Sequence, residues 1–251
     1  MGSSEPVFYQ EPFLSRDHTE VLLKAVGVTI KMRNNKIYLS PPVKSLKPLN
    51  IEIPGDPSSA SFFAGAASIL PKSNLILKKI LSNPTRFQFF NIIRLMGADM
   101  SLTNEGHEAG EKVTDITINS GNLVGIEIQA DKIPSIIDEI PMLAVIATQA
   151  IGKTVIRGAE ELRVKESDRI NAIVINLRKM GASVEEYDDG FAITGPTKLK
   201  GANIETFNDH RIAMAFVVAG LVAKGNTKLD NYDCVDISFP GFFKMMRRLI
   251  K

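Results

Sequence analysis

Seven consecutive residues, Arg163 to Arg169, read Arg-Val-Lys-Glu-Ser-Asp-Arg. Val164 is the only apolar member among three cations, two acids and a hydroxyl. The segment leads from an apolar stretch, Met142 to Ile156, into a helical pattern, Ile170 to Met180. A loop entering a helix this way can aim backbone N–H groups and cationic side chains at one point, which suits a phosphate or carboxylate. Glu166, set among those cations, can hold or move a proton beside such a ligand. The same residues also fit a solvated helix start, with Ser167 or Asp168 capping the first turn.

Four further segments bear on that choice. Ser-Arg-Asp-His-Thr-Glu, from Ser15, reads as a helix start capped by Ser15 or Asp17. It leaves Arg16 at the helix mouth, where a guanidinium suits phosphate, and His18 as a polar helix residue. Gly-Asp-Pro-Ser-Ser, from Gly55, predicts a tight turn and a helix capped by Ser58 or Ser59, either a hinge or an anion cradle. Asp-Glu-Ile-Pro, from Asp138, places an acid at the entrance of an apolar helix. There it can simply be favoured by the helix dipole, or it can accept a proton from a substrate hydroxyl. Asn-Asp-His-Arg, from Asn208, offers Asn208 or Asp209 as a cap and projects His210 and Arg211 from the first turn. Singly, each segment fits a capped helix. Together they put Arg16, Lys165, Arg169 and Arg211 at helix N-termini and the acids Asp138 and Glu166 at neighbouring ones. That pattern suits a ligand with several anionic groups and one proton to move.

The elements that must hold these residues repeat along the chain. One recurring unit is an Ala/Gly-rich apolar helix followed by a short strand, beginning at Phe62, Pro141 and Ile212. Helices apolar nearly all round belong inside a lobe, and small residues let backbones approach closely. The other is an amphipathic helix stopped by glycine, at Gly27, Gly97 and Gly181, where positive φ ends the helix. Alternating strands follow, with turns at Asn34-Asn35 and Asp188-Asp189-Gly190. The stretch from Pro240 looks like this second unit cut short. The pattern predicts an α/β (α+β) fold with about three βαβαββ units after Pro54. Residues 1–53 are too short for a domain and read as the tail of a preceding, incomplete lobe, with 54–251 the lobe itself.

The chain has 251 residues, 44% of them hydrophobic and 23% charged, with net charge +2 and one cysteine, Cys234. So small a charge gives no reason to expect nucleic acid, and any positive field must be local. One cysteine excludes an intrachain disulfide. No apolar run approaches a membrane span, no secretory signal is visible, Met-Gly-Ser-Ser at the start carries no fold information, and the default compartment is the cytoplasm.

Gly55-Asp-Pro-Ser-Ser-Ala, Asp138-Glu-Ile-Pro, Arg163-Val-Lys-Glu-Ser-Asp-Arg, Asp189-Gly-Phe-Ala-Ile-Thr-Gly and Asn208-Asp-His-Arg, with Ser15-Arg-Asp-His-Thr-Glu upstream, together resemble 5-enolpyruvylshikimate-3-phosphate synthase, the 3-phosphoshikimate 1-carboxyvinyltransferase family. The resemblance runs from about Ser15 to Phe243. It implies a two-lobed protein with three βαβαββ units per lobe and buried helices facing a central cleft. It also implies a reaction of the shikimate pathway to chorismate and the aromatic amino acids. The enolpyruvyl group of phosphoenolpyruvate passes to the 5-hydroxyl of shikimate 3-phosphate by addition and elimination, with no metal or organic cofactor. Carried over by motif, Asp138 would deprotonate the hydroxyl and Lys165 would serve the reacting centre. Glu166 would exchange the methylene proton, and Arg169 and Arg211 would clamp phosphoenolpyruvate with His210 in support. Arg16 would contact the shikimate phosphate.

The departures are as informative. The match is to the C-terminal portion, and the family's first-lobe substrate segments are not in this sequence, so the missing N-terminal lobe is itself an expected partner. Where some members have Lys before Ser/Thr-Phe-Pro, Ile237 stands here. The resemblance therefore implies a fragment inactive alone. Alternatives are a non-catalytic anion-binding lobe and a relative of the enolpyruvyl transferase acting on UDP-N-acetylglucosamine. On the catalytic reading, Lys165→Ala and Arg169→Ala should abolish turnover in a completed enzyme with little change in melting temperature.

Overall fold

Two kinds of helix alternate along the chain, and their difference in polarity decides which one is swallowed by the core. The computed structural model describes residues 5–10, 16–34, 36–41 and 45–250. Met1 to Ser4, Ser15 and Asn35, named above, lie outside the described residues.

The chain opens with β1 (Val7–Gln10), α1 (His18–Ala25), β2 (Thr29–Arg33) and β3 (Lys36–Ser40), an antiparallel sheet ordered β1-β3-β2. The first repeat starts at Gly55, which bridges in parallel to Ile80. It continues through α2 (Pro57–Ile69), β4 (Asn74–Leu81), α3 (Gln88–Leu95), β5 (Asp99–Glu108) and β6 (Glu111–Asn119), with sheet order β4-β6-β5. The second comprises β7 (Glu127–Ile128), α4 (Ile140–Ala147), β8 (Gly152–Ile156), α5 (Arg169–Lys179), β9 (Ser183–Tyr187) and β10 (Gly190–Gly195), ordered β7-β8-β10-β9. In the third, β11 (Asn203–Ile204) lies parallel to β12 (Lys228–Leu229), with α6 (His210–Val222) between them and α7 (Phe242–Leu249) after. The expected three βαβαββ units are thus two full ones and a third that runs β-α-β-α within the described residues.

Helices α2, α4 and α6 pack against one another at the centre. All eight residues of α4 are buried, as expected of a helix with no polar face. Gly65 explains how α2 and α4 come so close: a Cβ built there would lie 2.8 Å from Met142 Cε. The amphipathic helices cover this interior. In α5, Ile170, Ile173, Val174 and Leu177 repeat at helical spacing and are fully buried, each burial worth roughly 1.5–3 kcal/mol. Gly27, Gly97 and Gly181 stop their helices at φ of +96°, +100° and +87°, the backbone the sequence pattern required. Among the described residues, no helix is long and apolar enough to cross a membrane.

Two capping expectations fail. Pro57 is the first residue of α2, so Ser58 and Ser59 lie inside the helix and cannot cap it. Asp56 is the cap, accepting from Ser59 N–H at 2.8 Å. At α1, Asp17 occupies the cap position without making a cap bond, because its carboxylate accepts from Asn83 Nδ2 at 2.7 Å instead.

Candidate functional site

The N-terminal ends of α4, α5 and α6 meet at Asp138. It lies two residues before α4, and three guanidiniums from distant stretches converge on its carboxylate. Arg16 Nη2 donates to Oδ2 at 2.6 Å, Arg169 Nη1 reaches Oδ1 at 3.5 Å and Arg211 Nη2 lies 3.5 Å from Oδ2. Arg211 Nη1 also donates to the Asp138 carbonyl at 3.3 Å. Burial pushes the Asp138 carboxyl up, but Arg211, Arg16 and Arg169 together outweigh it and hold the group below its ordinary range.

Local sequence explains why these side chains arrive together. Asp209 caps α6, accepting from Arg211 N–H at 2.9 Å and Ile212 N–H at 3.4 Å, and Arg211 reaches from this first turn to Asp138, ahead of α4. Asp168 caps α5 by accepting from Asn171 N–H at 3.0 Å, so Arg169 is the first helical residue. From there Arg169 Nε donates to Asp209 Oδ2 at 2.7 Å and Nη2 donates to Glu166 Oε2 at 2.6 Å. Ser167 Oγ adds a bond to Asp209 at 3.0 Å. Burial raises the Asp209 carboxyl, but the hydrogen bond and charge of Arg169, with the Arg211 N–H and Ser167, pull it below its ordinary value.

Arg169 is 0% exposed. It is therefore not a projecting prong but a buried cation balanced by Asp138, Glu166 and Asp209. This corrects the expectation that Arg169→Ala would leave stability untouched, because the change strands a fully buried Asp209. Glu166, by contrast, is 51% exposed at its side chain. Lys165 pairs with the exposed Glu161 and joins Arg16 and Asp138 in lining an open cleft of about 590 Å³ that also includes Gln88 and Lys132. His210 is buried beside Arg211. Burial, then the charges of Arg211 and Arg169, lower its pKa against the pull of Asp209 and Glu166, so the imidazole is neutral near pH 7.

Two residues of the first segment play other parts. Arg163 turns away, donating to the Tyr187 and Asp188 carbonyls at 2.8 and 2.7 Å and pinning the β9–β10 turn. Val164 is 80% exposed. Sequence reasoning missed an adjoining cluster. Arg86 donates to Ser58 Oγ at 2.6 Å and to Asp56 at 3.1 Å, and Ser58 in turn donates to the buried Glu139 beside Asp138. Burial pushes the Glu139 carboxyl up, opposed by Ser58, Arg86 and Arg211. The available signal was Pro57, which marks Asp56 as the cap and turns Ser58 inward. Ile237, the departure from the family pattern, is 74% exposed in a short 3-10 turn over Asp233–Ile237. Among the described residues, no group of three or more His, Cys, Asp or Glu is arranged to hold a metal ion.

Comparison with known proteins identifies the family. The family model described as EPSP synthase (3-phosphoshikimate 1-carboxyvinyltransferase) matches residues 5–246. The 3-phosphoshikimate 1-carboxyvinyltransferase of Persephonella marina is 47% identical over 243 residues, covering 96% of this chain and 56% of that protein. The protein of the same description from Thermoanaerobacter pseudethanolicus is 48% identical over 235 residues, 94% of this chain and 55% of its own. The chain spans about half the length of the curated relatives it matches. A solved EPSP synthase from Acinetobacter baumannii superposes with a TM-score of 0.94 at 39% identity, over 98% of this chain and 57% of that one. The enolpyruvyl transferase NikO of Streptomyces tendae, at TM-score 0.73 and 17% identity over 98% of this chain and 56% of that one, shares the fold alone. With a family model matched over nearly the whole chain, and with relatives close to half identical, the chain belongs to the EPSP synthase family.

Proposed function

We propose that this chain is the C-terminal lobe, with residues 1–53 the tail of the preceding lobe, of an enzyme that transfers the enolpyruvyl group of phosphoenolpyruvate to shikimate 3-phosphate. The observation that carries the reading is the convergence of Arg16, Arg169 and Arg211 on one carboxylate, Asp138. Two polyanions must be held together against their own repulsion, and forked guanidiniums suit both phosphate and carboxylate. Asp138 and Glu166 keep those cations ordered until ligand anions take their place.

The chemistry then follows from the exchange of partners. When substrate anions draw Arg16 and Arg211 away, Asp138 loses the charges that depress its pKa and becomes a stronger base. It takes the proton of the 5-hydroxyl as that oxygen bonds to C2 of phosphoenolpyruvate, while a proton adds at C3. Lys165 stabilises the growing phosphate charge, and Glu166, half exposed and next to Arg169, moves the C3 proton. In the second half, C3 loses a proton and the C2–phosphate bond breaks, giving the enol ether and inorganic phosphate. His210 stays neutral and supports Arg211. The remaining substrate contacts belong to the N-terminal lobe, so this chain is a partner to that lobe and inactive alone. One buried, unpaired cysteine, Cys234, fits a cytoplasmic enzyme.

Phosphate release in the presence of both substrates tests the reading. We expect none from the chain alone, and turnover once it is joined to the N-terminal half of the Persephonella marina relative. A joined enzyme that stays silent with shikimate 3-phosphate, or that accepts UDP-N-acetylglucosamine in its place, sinks the assignment.

A further inference from the structure

The turn that delivers Asp209, His210 and Arg211 is held in an unusual backbone. Phe207 and Asn208 have φ of +54° and +57°. Asparagine tolerates this left-handed region, but an aromatic side chain there is a steric outlier that persists only when its surroundings impose it. The imposing contacts come from the end of β12. The parallel register Asn203–Lys228 and Ile204–Leu229 carries the two strands out side by side, and Asp230 N–H donates to the Ile204 carbonyl at 3.1 Å. Asp230 Oδ1 then accepts both from Thr206 N–H at 2.9 Å and from Thr206 Oγ at 2.6 Å. Thr206 is fully buried. Its hydroxyl accepts from Asn208 N–H at 3.3 Å and its carbonyl from Asp209 N–H at 2.9 Å. Asn231 Nδ2 closes the arrangement on Asn208 Oδ1 at 2.8 Å.

We propose that Asp230 is a positioning residue for the anion clamp: by fixing Thr206 it forces Phe207 and Asn208 into the left-handed turn that aims Asp209 at Arg169 and Arg211 at Asp138. The hydrogen bonds of the Asp230 side chain go to Thr206, and it acts on Asp209 and Arg211 by way of the turn. The inference rests on the functional reading above for its catalytic readout, and it has a second readout that does not.

The test uses the enzyme carrying both halves. Asp230→Ala leaves the two Thr206 donors without an acceptor, and kcat/KM for phosphoenolpyruvate should fall about tenfold or more, chiefly through KM. Asp230→Asn keeps an oxygen at the same place and should stay within about twofold of the parent. The discriminating variant is Asp230→Ala with Phe207→Gly. Glycine removes the steric cost of positive φ, so the turn holds without its clamp and most of the lost kcat/KM should return. A merely structural Asp230 would give no such rescue, because glycine adds only flexibility. Unchanged kcat/KM in Asp230→Ala, or failure of Phe207→Gly to restore it, overturns the proposal. A parent enzyme that releases no phosphate overturns the functional reading instead. Amide hydrogen exchange over residues 206–211 then decides the clamp: Asp230→Ala must speed it, and adding Phe207→Gly must slow it again.

Discussion

Arg86 and Arg169 stand at similar places in two repeats, two residues before α3 and at the first residue of α5. Both are buried, and both donate to the aspartate that caps an interior helix, Asp56 at α2 and Asp209 at α6. Their surroundings diverge from there. Arg86 shares one cap, half open to water, and one hydroxyl, Ser58. Arg169 meets three carboxylates, Asp138, Glu166 and Asp209, and Asp138 is shared in turn with Arg16 and Arg211. A scaffold needs only enough charge to balance itself. A pocket for anions carries a surplus of both signs that an arriving ligand can re-partition. The same fastening device is a plain brace in one repeat, and in the next it joins the cluster proposed above to bind anions.

Arg169→Ala should separate the two most sharply. Removing it leaves Asp209 buried without its cation, a loss of about 3–5 kcal/mol by chemical denaturation, together with loss of phosphoenolpyruvate binding. A variant as stable as the parent would mean that Arg169 is a replaceable prong. Arg86→Ala should cost less, roughly 1.5–3 kcal/mol for hydrogen bonds to a charged group, because Asp56 can turn to water. Calorimetric titration with phosphoenolpyruvate should be unaffected, and a tenfold weakening would show that the brace is part of the pocket.

Acid titration sharpens the same contrast. In both caps burial works to raise the carboxyl and is outweighed. At Asp56 it is outweighed by the Ser59 N–H and hydroxyl and Arg86, and at Asp209 by Arg169, the Arg211 N–H and Ser167. Each folded pKa is therefore depressed. The stability each confers is fully present above the ordinary value near 3.8 and is lost as pH falls below it. Asp209→Asn should flatten the acid limb of a stability–pH curve more than Asp56→Asn does, since Asp209 is 0% exposed and Asp56 half exposed. Equal flattening would erase the distinction between the two sites. The smallest stability effect belongs to Lys165→Ala, whose partner Glu161 lies in solvent: within about 0.5 kcal/mol of the parent, with turnover in the completed enzyme lost. Retained turnover would remove Lys165 from the chemistry.

What could be read in advance was whatever depends on near neighbours. The buried helices announced themselves by runs such as Met142 to Ala147, apolar on every face. The stops at Gly27, Gly97 and Gly181 needed only local backbone rules. Asp168 and Asp209 were nameable as caps because each lies two or three residues before the N–H it takes. Arg169 defeated the same reading, since Asp138 and Asp209, the partners that bury it, lie 31 and 40 residues away. Arg86, Ser58 and Glu139 escaped it for the same reason, being joined across 28 and 81 residues. Phe207 was invisible as well. Its left-handed backbone is dictated by Asp230 across a two-residue parallel ladder, and no intrinsic preference of phenylalanine hints at it.

Gly65 has a bearing on the cleft although it lies eight residues along α2 from Pro57, about 12 Å of helix at 1.5 Å per residue. By letting Met142 nest against bare backbone, it permits the close spacing of α2 and α4, in the way a spacer deep in a vice sets the gap between the jaws. A Cβ there would meet Met142 Cε, Cγ and Sδ at 2.8–3.0 Å, so either that side chain or the spacing of α2 and α4, the helices that follow Asp56 and Asp138, would have to give. The fit of the anions proposed for the cleft would then depend on the molecule's driest interior as much as on any group the ligand meets.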